Sequence, residues 1–140
     1  VVSDLPPAAA GALAAARADA VARLGLPPAT EPQRCAAAID RYLDEARRRG
    51  GAPGDVDLQL GSLLGEGVVT RAGWSWCGLD WGRGVGFAVI SPDRGWAMLP
   101  IAVVGARLRA AAEVSLEQCL EAIAAGHLPP SEPGAATLIS

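Results

Sequence analysis

Residues 56–72 form an apolar helical pattern that contains three glycines, and four tryptophans follow it between residues 74 and 96. A glycine inside a helix costs about 1 kcal/mol relative to alanine, although alanine is abundant in this chain. Gly61 and Gly65 lie one helical turn apart, on one face of the predicted helix. We therefore expect another backbone or a large ring to pack against this face, and the tryptophans are the obvious candidates.

The tryptophan-rich segment, residues 74–99, predicts β-structure. Aromatic and β-branched residues alternate there with turn residues, a pattern typical of strands. Gly82-Arg83-Gly84 can turn a first strand into a second, and residues 91–95 can turn the second into a third. The segment therefore predicts a three-stranded antiparallel meander.

Five helices are predicted around this meander, and capping residues indicate where most of them begin. Ser3 or Asp4 is placed to cap the first helix, and Asp55 to cap the third. Two capping-box patterns, Thr30 with Gln33 and Ser115 with Gln118, open the second and the last helix. The predicted helices span residues 3–25, 31–49, 56–72, 101–111 and 116–125.

These elements predict an α+β fold in which helices pack on one face of a small three-stranded antiparallel sheet. We divide the chain into an alanine-rich N-terminal helix at 1–29, an α+β core domain at 30–126 and a tail at 127–140. The tail contains three prolines and few apolar residues, so we expect it to be flexible.

Composition excludes several classes of site. The chain has 140 residues, no lysine, one histidine (His127) and three cysteines. A P-loop ATPase and a Schiff-base enzyme both require a lysine, and a site with several imidazoles requires more than one histidine. Three cysteines do not complete the usual four-ligand structural zinc set. We therefore predict no metal site and no cofactor.

Charge and hydropathy indicate which partners and which cell compartment to expect. The net charge is −3, with 12 basic and 15 acidic residues, so we expect no general attraction to nucleic acid or to an anionic membrane. No apolar run approaches the roughly 20 residues that span a bilayer. The three cysteines are odd in number and far apart, which favours reduced, buried thiols. We expect a cytoplasmic protein.

One segment resembles a known group of proteins. Residues 60–76 read L-G-S-L-L-G-E-G-V-V-T-R-A-G-W-S-W, and residues 99–108 read L-P-I-A-V-V-G-A-R-L. Together they resemble small bacterial domains of unknown function that have an L-G-x-x-x-G-E helix, a G-x-x-W turn, strands and a proline-led apolar segment. The likeness covers roughly residues 31–125. The matching positions are Leu60, Gly61, Gly65, Glu66, Gly73, Trp76, Pro100 and Arg107.

This resemblance implies a binding role, since some members of that group are suspected immunity partners of secreted bacterial toxins. It supplies no catalytic residue. It thus implies a non-enzymatic protein that neutralises a toxin by direct binding, with a toxin domain as its partner. A free edge of the predicted sheet could also pair with a second copy and form a homodimer.

Aromatic residues beside charged residues in the two predicted turns are candidates for the partner surface. Tryptophan and arginine dominate interface hot spots because they bury a large area at a low entropic cost. The sequence does not decide whether Trp81 is exposed or buried. The predicted partner-binding residues are Asp80, Trp81, Arg83, Asp93, Arg94 and Trp96.

An alternative interpretation is a small enzyme or ligand-binding domain with a cleft near Glu66, Trp76 and Cys77. A hydrolase would need a nucleophile beside a base, and His127 lies in the proline-rich tail, where it is poorly held. Glu66, Gly61, Gly65 and Trp76 are accordingly predicted as a ligand-binding or structural motif. In that motif, Glu66 would accept from an arginine or from backbone amides, or would lie in solvent.

Overall fold

The computed structural model describes residues 2–139, and within that range the chain forms five helices and five strands. The helices are α1 Pro7–Leu24, α2 Pro32–Arg48, α3 Val56–Ala72, α4 Pro100–Arg109 and α5 Leu116–Ala124. The strands are β1 Val2–Ser3, β2 Ser75–Asp80, β3 Val85–Ile90, β4 Trp96–Met98 and β5 Thr137–Ile139. The α+β class is confirmed.

The strands form one mixed sheet in the order β1-β2-β3-β4-β5. The first four are antiparallel neighbours, and Trp76 on β2 lies opposite Val89 on β3. β5 pairs with β4 in parallel, with Thr137 opposite Trp96. The prediction of a three-stranded antiparallel sheet is therefore wrong, although β2, β3 and β4 form the meander that it described.

The two strands that the prediction missed come from the ends of the chain. β1 has two residues and β5 has three, so neither is long enough to show an alternating pattern. Their strand geometry comes from hydrogen bonds to edges that the meander provides. The N-terminal segment and the predicted tail thus both contribute to the sheet.

Alternate residues of the strands face opposite sides of the sheet and enter two apolar clusters. Val89 and Met98 pack among buried residues of α2, α3 and α5. Cys77, Ala88 and Ala97 belong to a second cluster on the other side, where Val2 and Ala136 pack against them. Both sides of this small sheet are therefore apolar, and the chain ends contribute to covering the second one.

α3 is the central helix, and it contacts each of the other four helices as well as β2 and β3. Its buried residues lie on all sides, which is typical of a core helix rather than an amphipathic surface helix. α1 lies along α3 and buries Leu13, Ala16 and Ala20. The alanine-rich helix thus covers the core with small side chains.

The two helical glycines of the motif are sites of close approach, as predicted. A Cβ at Gly61 would lie 2.6 Å from the Cα of Ile101, and a Cβ at Gly65 would lie 2.3 Å from Cη2 of Trp76. The expected backbone and the expected ring are therefore both present, one at each glycine. α4 and β2 are held against α3 at these two positions.

Of the two predicted capping boxes, one forms and the other does not. The Ser115–Gln118 capping box of α5 is confirmed, and the carboxylate of Asp40 on α2 also accepts from two amides of its first turn. The predicted Thr30–Gln33 box does not form, because α2 begins at Pro32 and the Thr30 hydroxyl donates to the carbonyl of Pro27.

The predicted starts of two other helices also need correction. α1 begins at Pro7, after Pro6, because Ser3 is in strand β1. Asp55 precedes α3, but its side chain accepts no capping hydrogen bond. These helices are therefore positioned by packing and by proline more than by side-chain caps.

Gly61→Ala should destabilise the fold by about 2–3 kcal/mol, because the added methyl group would clash with the backbone of α4. Gly67 lies in the same helix, but a Cβ there would meet Pro32 at 3.5 Å, an ordinary contact. Gly67→Ala should therefore be neutral or stabilise by up to about 1 kcal/mol through helix propensity. Urea unfolding measures both, and equal effects of the two substitutions would contradict the close approach.

Candidate functional site

The turn between β2 and β3 presents Trp81 at the surface. Asp80 holds this turn by accepting from the amide of Gly82 at 3.1 Å. Trp81 is 37% exposed, and the guanidinium of Arg83 lies 5.7 Å from the centre of its ring, within cation–π range. The open question about Trp81 is thereby answered: part of its ring faces solvent.

Local packing fixes how Trp81 lies. A Cβ at Gly86 on β3 would lie 3.3 Å from the indole Nε1, so the missing side chain leaves room for the ring. Trp76 and Trp96 donate their indole N–H groups to Glu66 and to the carbonyl of Pro129. The Trp81 indole makes no hydrogen bond to any residue in the described range 2–139, so its donor is free.

Beside Trp81 lies an apolar groove with a volume of about 480 Å³, which we call the Trp81 groove. The exposed face of α4 lines it on one side and β5 on another. Its volume is within the range of ligand and anchor pockets. The lining residues are Trp81, Leu99, Ala102, Val103, Ala106, Arg107, Ala110, Ala112, Leu138 and Ile139.

A second cavity of about 370 Å³ adjoins the groove and shares Trp81, Leu99 and Ala102 with it. Asp57 and Arg109 are the charged residues that line this cavity. Val85, which also lines it, is 68% exposed. Trp81 therefore lies between two depressions on a largely apolar surface.

The charged residue of the Trp81 groove is Arg107, which is buried. Its guanidinium donates to the carbonyl of Val114 and approaches Sγ of Cys119 at 3.6 Å. Across residues 2–139, no carboxylate lies within 4 Å of the guanidinium nitrogens of Arg107, Arg83 or Arg109. None of these three arginines is therefore in an ion pair with another described residue.

The other predicted partner residues lie at the opposite end of the meander. β3 separates the two turns by about 20 Å, given six residues at about 3.3 Å each. Asp93 accepts from the amide of Gly95 and the hydroxyl of Ser91, and these hydrogen bonds lower the pKa of its carboxyl. Asp93 thus stabilises the turn between β3 and β4. Trp96 binds the segment at Pro129 through its indole hydrogen bond, and Arg94 lies in the same turn as Asp93.

The predicted motif around Glu66 is a structural network. Oε2 of Glu66 accepts from the Trp76 indole at 3.1 Å and from Arg17 of α1 at 3.3 Å. The predicted arginine partner of Glu66 is therefore present, and it comes from the N-terminal helix. The carboxylate joins α1, α3 and β2, while the ring of Trp76 fills the space at Gly65.

The three residues of the alternative cleft lie on two sides of the sheet. Trp76 and Cys77 are neighbours in β2 and so face opposite sides of the sheet. Burial raises the pKa of the Cys77 thiol, which disfavours the reactive thiolate. Glu66, Trp76 and Cys77 do not line any of the five best-defined cavities on residues 2–139. His127 is exposed after the end of α5.

Sequence reasoning missed the α4 and β5 sides of the groove. The helix itself was predicted, but not which of its faces would remain uncovered. Leu138, 43% exposed, lies in the segment that was assigned to the tail. The spacing of Ala102, Ala106 and Ala110 at four residues was the available signal.

Comparisons with protein-family models, with curated proteins and with solved structures found no match to this chain. Within the described part of the chain, no helix is both long and apolar enough to cross a membrane. Among the same residues, no three His, Cys, Asp or Glu side chains come together as metal ligands could.

Glu66→Ala should destabilise the protein by about 1.5 kcal/mol, because it removes both the indole hydrogen bond and the ion pair with Arg17. Glu66→Gln should cost only about 0.5 kcal/mol, since the amide oxygen still accepts from Trp76 and an ion pair this exposed contributes little. Urea unfolding compares the two variants. If they lost equal stability, the hydrogen bond to the indole would contribute nothing.

Cys119 should react with iodoacetamide at pH 8 at least about ten times faster than Cys35 or Cys77 in the folded protein. Cys119 is partly exposed, whereas the other two thiols are buried and burial raises their pKa. Peptide mapping after timed labelling measures the three rates, with the urea-unfolded protein as the control. Fast labelling of Cys77 would instead favour the alternative interpretation with a reactive cysteine.

Proposed function

We propose that this chain is a non-enzymatic protein-binding domain and that it contacts its partner through the Trp81 groove. The observation that carries the proposal is Trp81 itself, which has a partly exposed ring, a stacked arginine and a free indole donor. The fold supplies no partner for this donor within residues 2–139, whereas those of Trp76 and Trp96 are used. The Trp74 indole also has no partner there, but Trp74 is buried, so Trp81 is the one that can reach another protein.

The surroundings of Trp81 support this role. Interface cores are enriched in tryptophan and arginine and depleted in other charged residues. Trp81, Val85 and Leu138 are large apolar side chains that remain exposed around two adjoining depressions. Binding of a partner would remove this apolar area from water, which is the main favourable contribution to most protein–protein association.

The resemblance to suspected immunity proteins specifies the partner further. On that basis we propose a toxin domain as the partner and the cytoplasm of the producing cell as the compartment. Neutralisation by direct binding requires no catalytic group, and the proposal uses none. A toxin gene beside the gene for this chain would support this part of the proposal, and its absence would count against it.

Trp81→Ala should weaken binding of the partner by at least about 30-fold, because loss of a hot-spot side chain costs about 2 kcal/mol or more. The partner to be tested is any toxin domain that is encoded by a gene beside that of this chain, and isothermal titration calorimetry measures the affinity. Arg94→Ala is the matched control, since Arg94 was also predicted to bind but lies at the other end of the meander. It should change the affinity by less than about threefold.

Two results would contradict this assignment. If Arg94→Ala weakened binding more than Trp81→Ala, the interface would lie at the opposite turn of the meander. Equal affinity of the wild type and Trp81→Ala would show that the Trp81 groove is not the contact surface. Circular dichroism of both variants checks that the fold is retained.

A further inference from the structure

We infer that the Trp81 groove accepts an acidic amphipathic helix of the partner protein, about two turns long. This inference rests on the proposed function, and it adds the structure and the charge of the segment that binds. Three observations carry it: the floor of the groove, its walls and the arginines around it.

The floor is a row of small side chains along α4 and its C-terminal end. Ala102 and Ala106 lie four residues apart in the helix, Ala110 is the C-cap residue that follows Arg109, and all three are exposed. They extend along about 12 Å, given a rise of 1.5 Å per residue. Helices pack by inserting ridges into such i, i+4 grooves, and small residues at the contact allow the two axes to come close. A helix of about two turns matches this length.

The walls are large and apolar. Trp81 lies on one side and Leu138 on another, and both are partly exposed. A helix that lies in an apolar groove uses anchors at positions i, i+3 or i+4, and i+7. The volume of about 480 Å³ gives room for several apolar side chains of this kind.

The arginines favour an acidic occupant. Arg107 is buried in the wall, Arg83 lies over Trp81 and Arg109 lies in the adjoining cavity, and none of them is ion-paired within residues 2–139. The Trp81 groove is lined by no acidic residue among those described, and the adjoining cavity is lined by one, Asp57. Asp80 lies beside Trp81 at the turn that carries Arg83, so three arginines and two acidic residues give this surface a small positive excess, although the whole chain has a net charge of −3. Carboxylates beside the apolar anchors would pair with the arginines or accept from the indole of Trp81.

A second copy of the chain fits the groove poorly. α5 is an acidic helix with apolar residues at the required spacing, but Leu116, Leu120 and Ile123 are buried in its own core. A copy could present them only by unfolding. We therefore assign the groove to a different protein.

The experiment uses three fluorescein-labelled helical peptides of about 14 residues, long enough for marginal helix formation. The first has leucines at i, i+3 and i+7 and glutamates on its flanks. The second has lysines in place of the glutamates, and the third is a scrambled form of the first. Fluorescence anisotropy measures the binding of each peptide to the full chain.

The variant pair is Ala106→Glu and Ala15→Glu. Both alanines are exposed on helices and both substitutions add the same charge and volume, but only Ala106 lines the groove. Ala106→Glu should weaken binding of the acidic patterned peptide by at least about tenfold, which corresponds to about 1.4 kcal/mol. Ala15→Glu should change it by less than about twofold.

The inference is supported if the acidic patterned peptide binds at least about tenfold more tightly than the other two peptides and only Ala106→Glu weakens it. Equal or tighter binding of the lysine peptide would overturn the assigned charge. Equal binding of the scrambled peptide would overturn the helical pattern. If no peptide bound, or if Ala106→Glu had no effect, the groove would not be the site for such a helix.

Two further measurements separate the failure of this inference from failure of the proposed function. A partner whose binding is weakened by Trp81→Ala but not by Ala106→Glu would leave the proposed function intact and overturn the helix in the groove. Sedimentation equilibrium tests the remaining occupant, since a dimer that Ala106→Glu dissociates would identify a second copy and overturn the assignment to a different protein.

Discussion

Two glycines of α3 allow two other elements to touch its backbone, and the positions of α4 and the sheet follow from those contacts. Ile101 lies against Gly61, and the ring of Trp76 lies against Gly65. Each contact needs the absence of a single methyl group, because protein interiors leave little free space. Glu66, next to Gly65, then holds the Trp76 indole and Arg17. One turn of α3 thus joins the sheet and the first helix.

The surface around Trp81 is a consequence of this core. Packing of Trp76 against α3 fixes the position of β2. Trp81, which follows the end of β2, therefore lies beside α4. α4 buries Val104 in the core and leaves Ala102 and Ala106 exposed. Parallel pairing of β5 with β4 then places Leu138 at the groove. Elements from distant parts of the chain therefore meet in one apolar depression.

Local patterns predicted the features that depend on neighbouring residues. Helices close to α2, α3 and α4 were predicted, and the Ser115–Gln118 box was found where it was expected. The close approach at Gly61 and Gly65 was also predicted, because glycine destabilises a helix relative to alanine and alanine is abundant in this chain. The six predicted partner residues were not separated by sequence, since the two turns of the meander have similar compositions but lie at opposite ends.

The α+β class, the helices and the close packing of a ring and a backbone against α3 follow from periodicity and side-chain size, which can be read along the chain. Contacts between distant segments establish that β1 and β5 complete the sheet, that Trp81 is exposed and that Arg107 is buried beside an open face of α4. Strands of two or three residues, and the free face of a helix, are defined by partners that are distant in the chain, so neighbouring residues carry no signal for them.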